Sequence, residues 1–224
     1  MRIRSLIIGY ALVLAILLFA ERRSSPVQPD HYSRVVDLTG TPDSSTARAA
    51  SSRDSETSIV APADLIPGTW TAGQIPAERL IAPLVVMDLA ATANHGRITL
   101  DDIAAWEAQH NVVPQGAVIA IRHVGLAAAA PEMLMPITAD AAQFLMDARY
   151  ALGFAIETSA NLAPDRTLAR QIALHGAYVV ERASRLSSLP ETGSLIIVAP
   201  AKSAVPARGR NAAKSPVRIL AMVK

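Results

Sequence analysis

Carboxylate side chains gather in one short stretch of this 224-residue chain, between positions 54 and 65, as Asp54, Glu56 and Asp64. Carboxylate oxygens are the ligands that hard cations such as Mg²⁺, Ca²⁺ and Mn²⁺ prefer. The chain has no cysteine, so thiolate chemistry and disulfides are excluded, and any metal site would be built from His, Asp and Glu. The alternative interpretation is that these acids are solvated loop carboxylates.

Two other residues of this stretch, Thr57 and Pro62, have the spacing of a metal-binding motif. The stretch resembles the pattern H-x-G-T-H-x-D-x-P-x-H of the cyclase family of metal-dependent hydrolases, which includes the bacterial kynurenine formamidases. Most of the motif's chemical side chains are replaced here. The substituted positions are Asp54, Ser58 and Asp64 for the histidines, Val60 for the bridging aspartate and Glu56 for the glycine.

The resemblance continues in the same order over residues 34–223. Residues 35–39 resemble the family's opening V-D-L-T-H, with Gly40 at the histidine position. Residues 153–158 resemble its G-I-D-T strand, and residues 178–181 resemble the strand that carries a metal-binding glutamate. The resemblance implies an α/β fold with a mixed β-sheet, a barrel-like core and flanking helices.

The same resemblance implies a reaction. Family members are similar to two-metal hydrolases, in which Zn²⁺ or Mn²⁺ lowers the pKa of a bound water and polarises the carbonyl under attack. The inherited reaction would be hydrolysis of an N-formyl aryl amide, as in tryptophan catabolism, or of a related amide bond. Glu181 matches the family's glutamate ligand, but Ala169 stands twelve residues earlier at a histidine position. Asp64 stands at the acid–base histidine, so we expect hydrolysis to be weak or absent.

Three alternatives to the family's hydrolysis stay open. Asp54, Glu56, Asp64 and Glu181 could form an oxygen-only cage for Mg²⁺, Ca²⁺ or Mn²⁺. The chain could instead be a non-catalytic pseudoenzyme that keeps the fold to bind a small molecule or to oligomerise, since family members often form dimers or tetramers. It could also be a decaying gene product without a selected role. The predicted partners are a small amide molecule and further copies of the chain.

Hydrophobic patterning predicts the fold class independently. Apolar runs with the length and composition of buried strands recur at residues 84–89, 117–121, 152–156, 177–180, 195–198 and 218–223. Helices are predicted to begin at Thr99 and Thr138, and the second is predicted to end at a left-handed Gly153. Strands alternating with helices indicate an α/β domain with a mixed sheet.

The first 23 residues have the layout of a targeting segment. Arg2 and Arg4 precede an uncharged, mostly apolar run over residues 5–20. This predicts a signal peptide or an uncleaved membrane anchor, then a linker at 24–33 and a domain at 34–224 with a degraded low-complexity loop at 41–55. We therefore expect an exported protein, periplasmic or anchored to the inner membrane.

The remaining charged residues indicate structural roles. A net charge of +2 and a basic C-terminal quarter without interleaved aromatic residues do not predict a nucleic-acid partner. Asp88 and Glu157, near predicted strand ends, are expected to be hydrogen-bond partners. Surface or capping roles are predicted for the five histidines, which are His31, His95, His110, His123 and His175.

Overall fold

The computed structural model describes residues 31–40, 56–89, 96–122, 135–157, 166–202 and 215–224. All elements named below lie in the unit Tyr32–Lys224. The predicted targeting segment and low-complexity loop lie outside the described residues, as do Asp54, His95 and His123. Among the helices in these ranges, none is long and apolar enough to cross a membrane. The export prediction remains a prediction.

Strands and helices alternate through the described part of the chain, as the patterning predicts. The strands are β1 (Arg34–Asp37), β2 (Ser58–Val60), β3 (Ile81–Asp88), β4 (Val118–Arg122), β5 (Gly153–Ile156), β6 (Tyr178–Glu181), β7 (Ser194–Pro200) and β8 (Ser215–Val223). The α-helices are α1 (Pro62–Leu65), α2 (Leu100–His110), α3 (Ala139–Arg149) and α4 (Arg166–Leu174).

The strands form one mixed sheet that closes on itself. Its order is β1-β8-β2-β6-β5-β4-β3-β7, and β7 also pairs with β8. The pairings β3–β4, β4–β5 and β5–β6 are parallel. Every pairing that involves β1, β2, β7 or β8 is antiparallel. The result is a closed barrel with β1 attached outside the ring along β8, which confirms the predicted barrel-like core with a mixed sheet.

Two separate apolar clusters follow from the alternation of side chains along each strand. In β3, Leu84 and Val86 belong to one cluster, together with residues of β1, β7 and β8 that fill the barrel. Val85 and Met87 belong to the other cluster, which includes buried residues of α2, α3 and α4. The helices therefore cover the outer face of the parallel strands, where βαβ crossovers place them.

The helix starts at Thr99 and Thr138 are confirmed, because these residues are the N-caps of α2 and α3. The predicted left-handed end at Gly153 is wrong. Helix α3 ends at Arg149, and Tyr150 takes the left-handed conformation with φ 53°. Gly153 begins β5, where a Cβ atom would lie 2.7 Å from the ring and the backbone oxygen of Tyr178. Close approach of two strands, not chain reversal, requires glycine there.

Candidate functional site

Three positions that correspond to family metal ligands lie on one face of two neighbouring strands. Ser58 of β2 is the direct antiparallel partner of Glu181 in β6, and Val60 is the partner of Val179. Side chains two residues apart on a strand share a face, so all four point the same way. Val60 and Val179 pack in the helix-side cluster, which places this face on the outside of the barrel.

The retained glutamate is nearly enclosed. Glu181 is 8% exposed and Ser58 is 3% exposed. On its other side, Glu181 pairs in parallel with Ile156 of β5. The carboxylate is therefore flanked by a hydroxyl on one neighbouring strand and by a hydrocarbon on the other.

Asp64, at the position of the family's acid–base histidine, caps a helix. Its Oδ2 atom accepts a hydrogen bond of 2.8 Å from the backbone N–H of Ala61, at the start of α1. Burial raises the pKa of the Asp64 carboxyl above its ordinary value, and the hydrogen bond from Ala61 partly offsets this shift. The side chain already has a structural contact, which a catalytic acid or base would have to give up.

Ala169, at the position of a family histidine ligand, lies half-buried on α4. Helix α4 packs against α1, the helix that contains Asp64. A methyl group has no lone pair with which to bind a metal ion. Position 169 therefore supplies no ligand to a metal ion.

Thr57 has a role that sequence reasoning missed. Its hydroxyl accepts a 2.6 Å hydrogen bond from the N–H of Gly40 and donates a 2.7 Å hydrogen bond to the carbonyl of Arg182. The residue is 1% exposed. A Cβ at position 40 would lie 2.9 Å from that same carbonyl oxygen. Thr57 and Gly40 together join the ends of β1, β2 and β6, and the only sequence signal was the retained threonine of the motif.

A cavity of about 450 Å³ opens beside this contact. Gly40, Glu56 and Thr57 line it. The lining also contains Pro200, Ala201, Pro216, Val217 and Arg218, from β7, β8 and the residue after β7. Apolar groups dominate the lining, and Glu56 and Arg218 supply one charge of each sign. Such a space can accept a small flat molecule with an apolar body.

The residues present do not fit the metal centre that the family implies. Hydroxyl, hydrocarbon and methyl groups stand at positions 58, 60 and 169, and Asp64 is engaged by the backbone. Glu56, Asp64 and Glu181, the described members of the oxygen-only cage, do not come together. Across the described ranges, no group of three His, Asp or Glu side chains could hold a metal ion.

The other polar residues singled out from the sequence make structural contacts. Asp88 Oδ2 accepts hydrogen bonds of 2.9 and 2.8 Å from Nε and Nη2 of Arg122. Glu157 Oε1 accepts a 3.2 Å hydrogen bond from the N–H of Leu186. Two histidines place Nε2 close to a carboxylate oxygen. They are His110 with Glu191 at 2.6 Å and His175 with Asp147 at 3.0 Å.

Comparison with known proteins agrees with this architecture. A cyclase family model, described as "Putative cyclase", matches residues 24–161. The chain therefore belongs to the cyclase family. A search of curated proteins finds no match.

Solved structures give the same fold. Isatin hydrolase A from Ralstonia solanacearum superposes with a TM-score of 0.66 at 26% identity, covering 85% of this chain and 92% of that one. Isatin hydrolase A from Labrenzia aggregata, bound to benzyl benzoate, gives 0.63 at 24% identity, covering 85% and 93%. A protein from Bacillus stearothermophilus, described as a "predicted metal-dependent hydrolase", gives a TM-score of 0.55 at 20% identity, covering 84% of this chain and 97% of that one.

Proposed function

We propose that this chain is a non-catalytic member of the cyclase family that binds a small aromatic amide or a related molecule. The observation that carries the proposal is the pairing of Glu181 with Ser58, with Val60 on the same face. Metal-dependent hydrolysis requires imidazole and carboxylate ligands to converge on ions that activate water. A serine and a valine cannot replace an imidazole and a bridging carboxylate, so the donor set is incomplete.

The class of ligand is inferred from the cavity beside Thr57 and from the relatives. The cavity of about 450 Å³ has largely apolar walls, with Glu56 and Arg218 as polar contacts. One neighbouring structure is named as a hydrolase of isatin, which is a cyclic aromatic amide. Another holds benzyl benzoate, an aromatic ester. Flat aromatic carbonyl compounds are therefore the first ligands to test.

A second candidate function is residual metal-dependent hydrolysis of an aryl formamide or lactam. The observation that favours it is the burial of Glu181 at the family's ligand position. Carboxylate oxygens serve as metal ligands in hydrolase sites, so a cation bound here would have one ligand from the chain. The two candidates differ in whether metal binding and turnover depend on Glu181.

The deciding experiment measures metal content and turnover together. The purified protein is equilibrated with Zn²⁺, Mn²⁺ and Mg²⁺ in turn, and metal content is measured by mass spectrometry. Hydrolysis of isatin, N-formylkynurenine and formanilide is then followed. We expect no turnover above the buffer rate with any metal. Metal-dependent turnover that disappears in Glu181→Gln would replace the binding proposal with the hydrolase.

Ligand binding is tested separately, by the shift in thermal stability caused by isatin and formanilide. Ala201→Trp should abolish the shift, because position 201 lines the cavity and is exposed enough to accept a large side chain. Lys202→Trp is the matched control, since the neighbouring residue is also exposed and is not part of the lining. Equal loss in both variants, or no shift in the parent, would contradict the proposed cavity.

We further propose that the protein acts as a homodimer or homotetramer after export, as the family resemblance implies. Light scattering coupled to size-exclusion chromatography measures the oligomeric state of the purified protein. Cell fractionation of a C-terminally tagged chain measures the compartment. A monomer, or a chain found only in the cytoplasm, would contradict the respective proposal.

A further inference from the structure

We infer that a second cavity, between β3 and α2, binds a small organic cation. It encloses about 150 Å³, and its walls include Met87, Asp88, Ile98, Asp102, Trp106 and Glu191. This location is the carboxyl end of β3, and ligands of parallel α/β sheets bind at the carboxyl ends of strands. The inference does not depend on the proposed function, because the cavity shares no lining residue with the one beside Thr57.

The size of the cavity limits the ligand. An engineered cavity of about 150 Å³ in another protein accepts benzene. Met87, Ile98 and Trp106 provide an apolar wall of matching extent. A ligand with one aromatic ring or a short branched hydrocarbon therefore fits.

The charge of the cavity determines the sign of the charge that a ligand can carry. Asp88, Asp102 and Glu191 line it, and Arg122 contacts two of these carboxylates. These three carboxylates outnumber the two basic side chains that contact them, Arg122 and His110. A cleft with excess negative charge concentrates cations and excludes anions.

Two carboxylate oxygens are positioned to accept hydrogen bonds from an ammonium group. Asp102 uses Oδ2 for both hydrogen bonds to Thr99, from N at 2.9 Å and from Oγ1 at 2.7 Å. Within the described residues, its Oδ1 atom forms no hydrogen bond. Glu191 Oε1 lies 3.8 Å from Nη2 of Arg122, too far for a hydrogen bond. These contacts hold the carboxyl groups in place without using all of their acceptors.

The aromatic wall favours an organic cation over a metal ion. The ring of Trp106 lies 4.8 Å from the ring of His110, which holds the indole at the cavity. The face of tryptophan attracts ammonium and guanidinium groups more strongly than the other aromatic side chains do. No group of three ligating side chains within the described residues could hold a metal ion, these acids included.

Fluorescence of Trp106 tests the inference directly. The chain has two tryptophans, so Trp70→Phe leaves Trp106 as the sole reporter. Benzylamine and benzyl alcohol, nearly equal in shape and different in charge, are titrated into this variant. We expect saturable binding of benzylamine at least about tenfold tighter than binding of benzyl alcohol. Equal affinities would show a merely apolar cavity and would overturn the inference, as would no saturation by benzylamine up to about 10 mM.

Two variants and one control locate the binding. Asp102→Asn keeps an oxygen to cap α2, and Glu191→Gln keeps the length of its side chain; each should weaken benzylamine binding about tenfold while leaving benzyl alcohol unchanged. Asp147→Asn neutralises a carboxylate that pairs with His175 away from the cavity and should have no effect. The melting temperature of each variant establishes that it is folded. Unchanged benzylamine affinity in the folded variants would overturn the assignment.

Discussion

Ser58 and Glu181 face each other across the antiparallel pairing of β2 and β6, on the outer face of the barrel. The resemblance predicts metal ligands at both positions, and a serine hydroxyl lacks the imidazole nitrogen that binds a transition metal. The pairing therefore brings one carboxylate and one hydroxyl together at the place where the resemblance predicts a metal site.

Rebuilding the ligands should restore metal binding. We expect the variant with Asp54→His, Ser58→His, Val60→Asp, Asp64→His and Ala169→His to bind zinc near stoichiometrically, measured by mass spectrometry after dialysis. The same variant with Glu181→Gln is the control and should bind much less. A folded rebuilt protein without zinc would show that the backbone at these positions has also diverged.

Replacing Thr57 by valine should destabilise the fold. Valine keeps the shape of threonine but leaves the N–H of Gly40 and the carbonyl of Arg182 without the hydroxyl that joins them. The expected loss is about 1–3 kcal/mol in the free energy of unfolding, measured by urea denaturation. Thr57→Ser retains the hydroxyl and should lose much less. Equal losses in both variants would assign the effect to packing of the methyl group.

The contribution of Asp64 to the free energy of unfolding should decrease as pH rises. Burial raises the pKa of its carboxyl, so its stabilising contribution is complete below the unfolded-state pKa and is lost as pH rises through the higher folded-state pKa. Asp64→Asn keeps an oxygen for the N–H of Ala61 and should gain stability relative to the parent protein as pH rises from acid to neutral. Asp64→Ala loses the cap and should cost about 1 kcal/mol. Thermal unfolding across this pH range measures the stability of both variants. A stability gain in Asp64→Asn that shrinks toward neutral pH would contradict the burial argument.

Glu107 should stabilise the fold through Arg149 at neutral pH. Its carboxylate accepts hydrogen bonds of 2.8 and 2.9 Å from that guanidinium, and the side chains are 16% and 20% exposed. Arg149 lowers the pKa of Glu107. The stabilisation is present above the ordinary pKa of glutamate and is lost as pH falls through the lowered value.

Glu107→Gln should therefore cost about 1.5–3 kcal/mol at pH 7, and the difference should shrink in acid. The matched control is Asp147→Asn at the more exposed pair with His175, where the expected change is below about 1 kcal/mol. Chemical denaturation at several pH values measures both variants. A loss in Glu107→Gln that does not depend on pH would rule out the ion pair as its cause.

Gly153→Ala should be destabilising although alanine is a better strand residue. The added Cβ would meet the ring and the carbonyl oxygen of Tyr178 at 2.7 Å. Relief requires β5 and β6 to separate, which costs about 1–3 kcal/mol. Gly193→Ala is the comparison, because nothing lies within 4 Å of a Cβ there and only its positive φ of 85° opposes the change. A smaller loss at position 153 than at 193 would contradict the close-packing argument.

Apolar buried strands were predictable from sequence, but β2 was not. Strand β3 is a run of apolar residues whose burial on both faces is visible in its composition. Strand β2 has only three residues and is a strand because β6 and β8 pair with it. Those partners are distant in sequence, and local patterning carries no information about them.

Helix α4 and the end of α3 were missed for different reasons. In α4, Leu168 and Ile172 are four residues apart and both buried, a signal that was present but spans only one turn. At the end of α3, glycine is the usual left-handed residue, yet Tyr150 adopts that conformation and Gly153 is needed for the close contact with Tyr178.

The candidate site was predictable only as a list of sequence positions. The hydroxyl contacts of Thr57 and the capping by Asp64 depend on three-dimensional neighbours.

Strand β8 pairs with β1, β2 and β7, although it is the last element of the chain. These pairings cannot form until the chain has been synthesised through residue 223, so closure of the ring depends on the segment 215–223. Until then, β7 and β2 present unpaired edges that can associate with other chains. Removal of β8 would therefore leave an open sheet with two unpaired edges that is prone to aggregation.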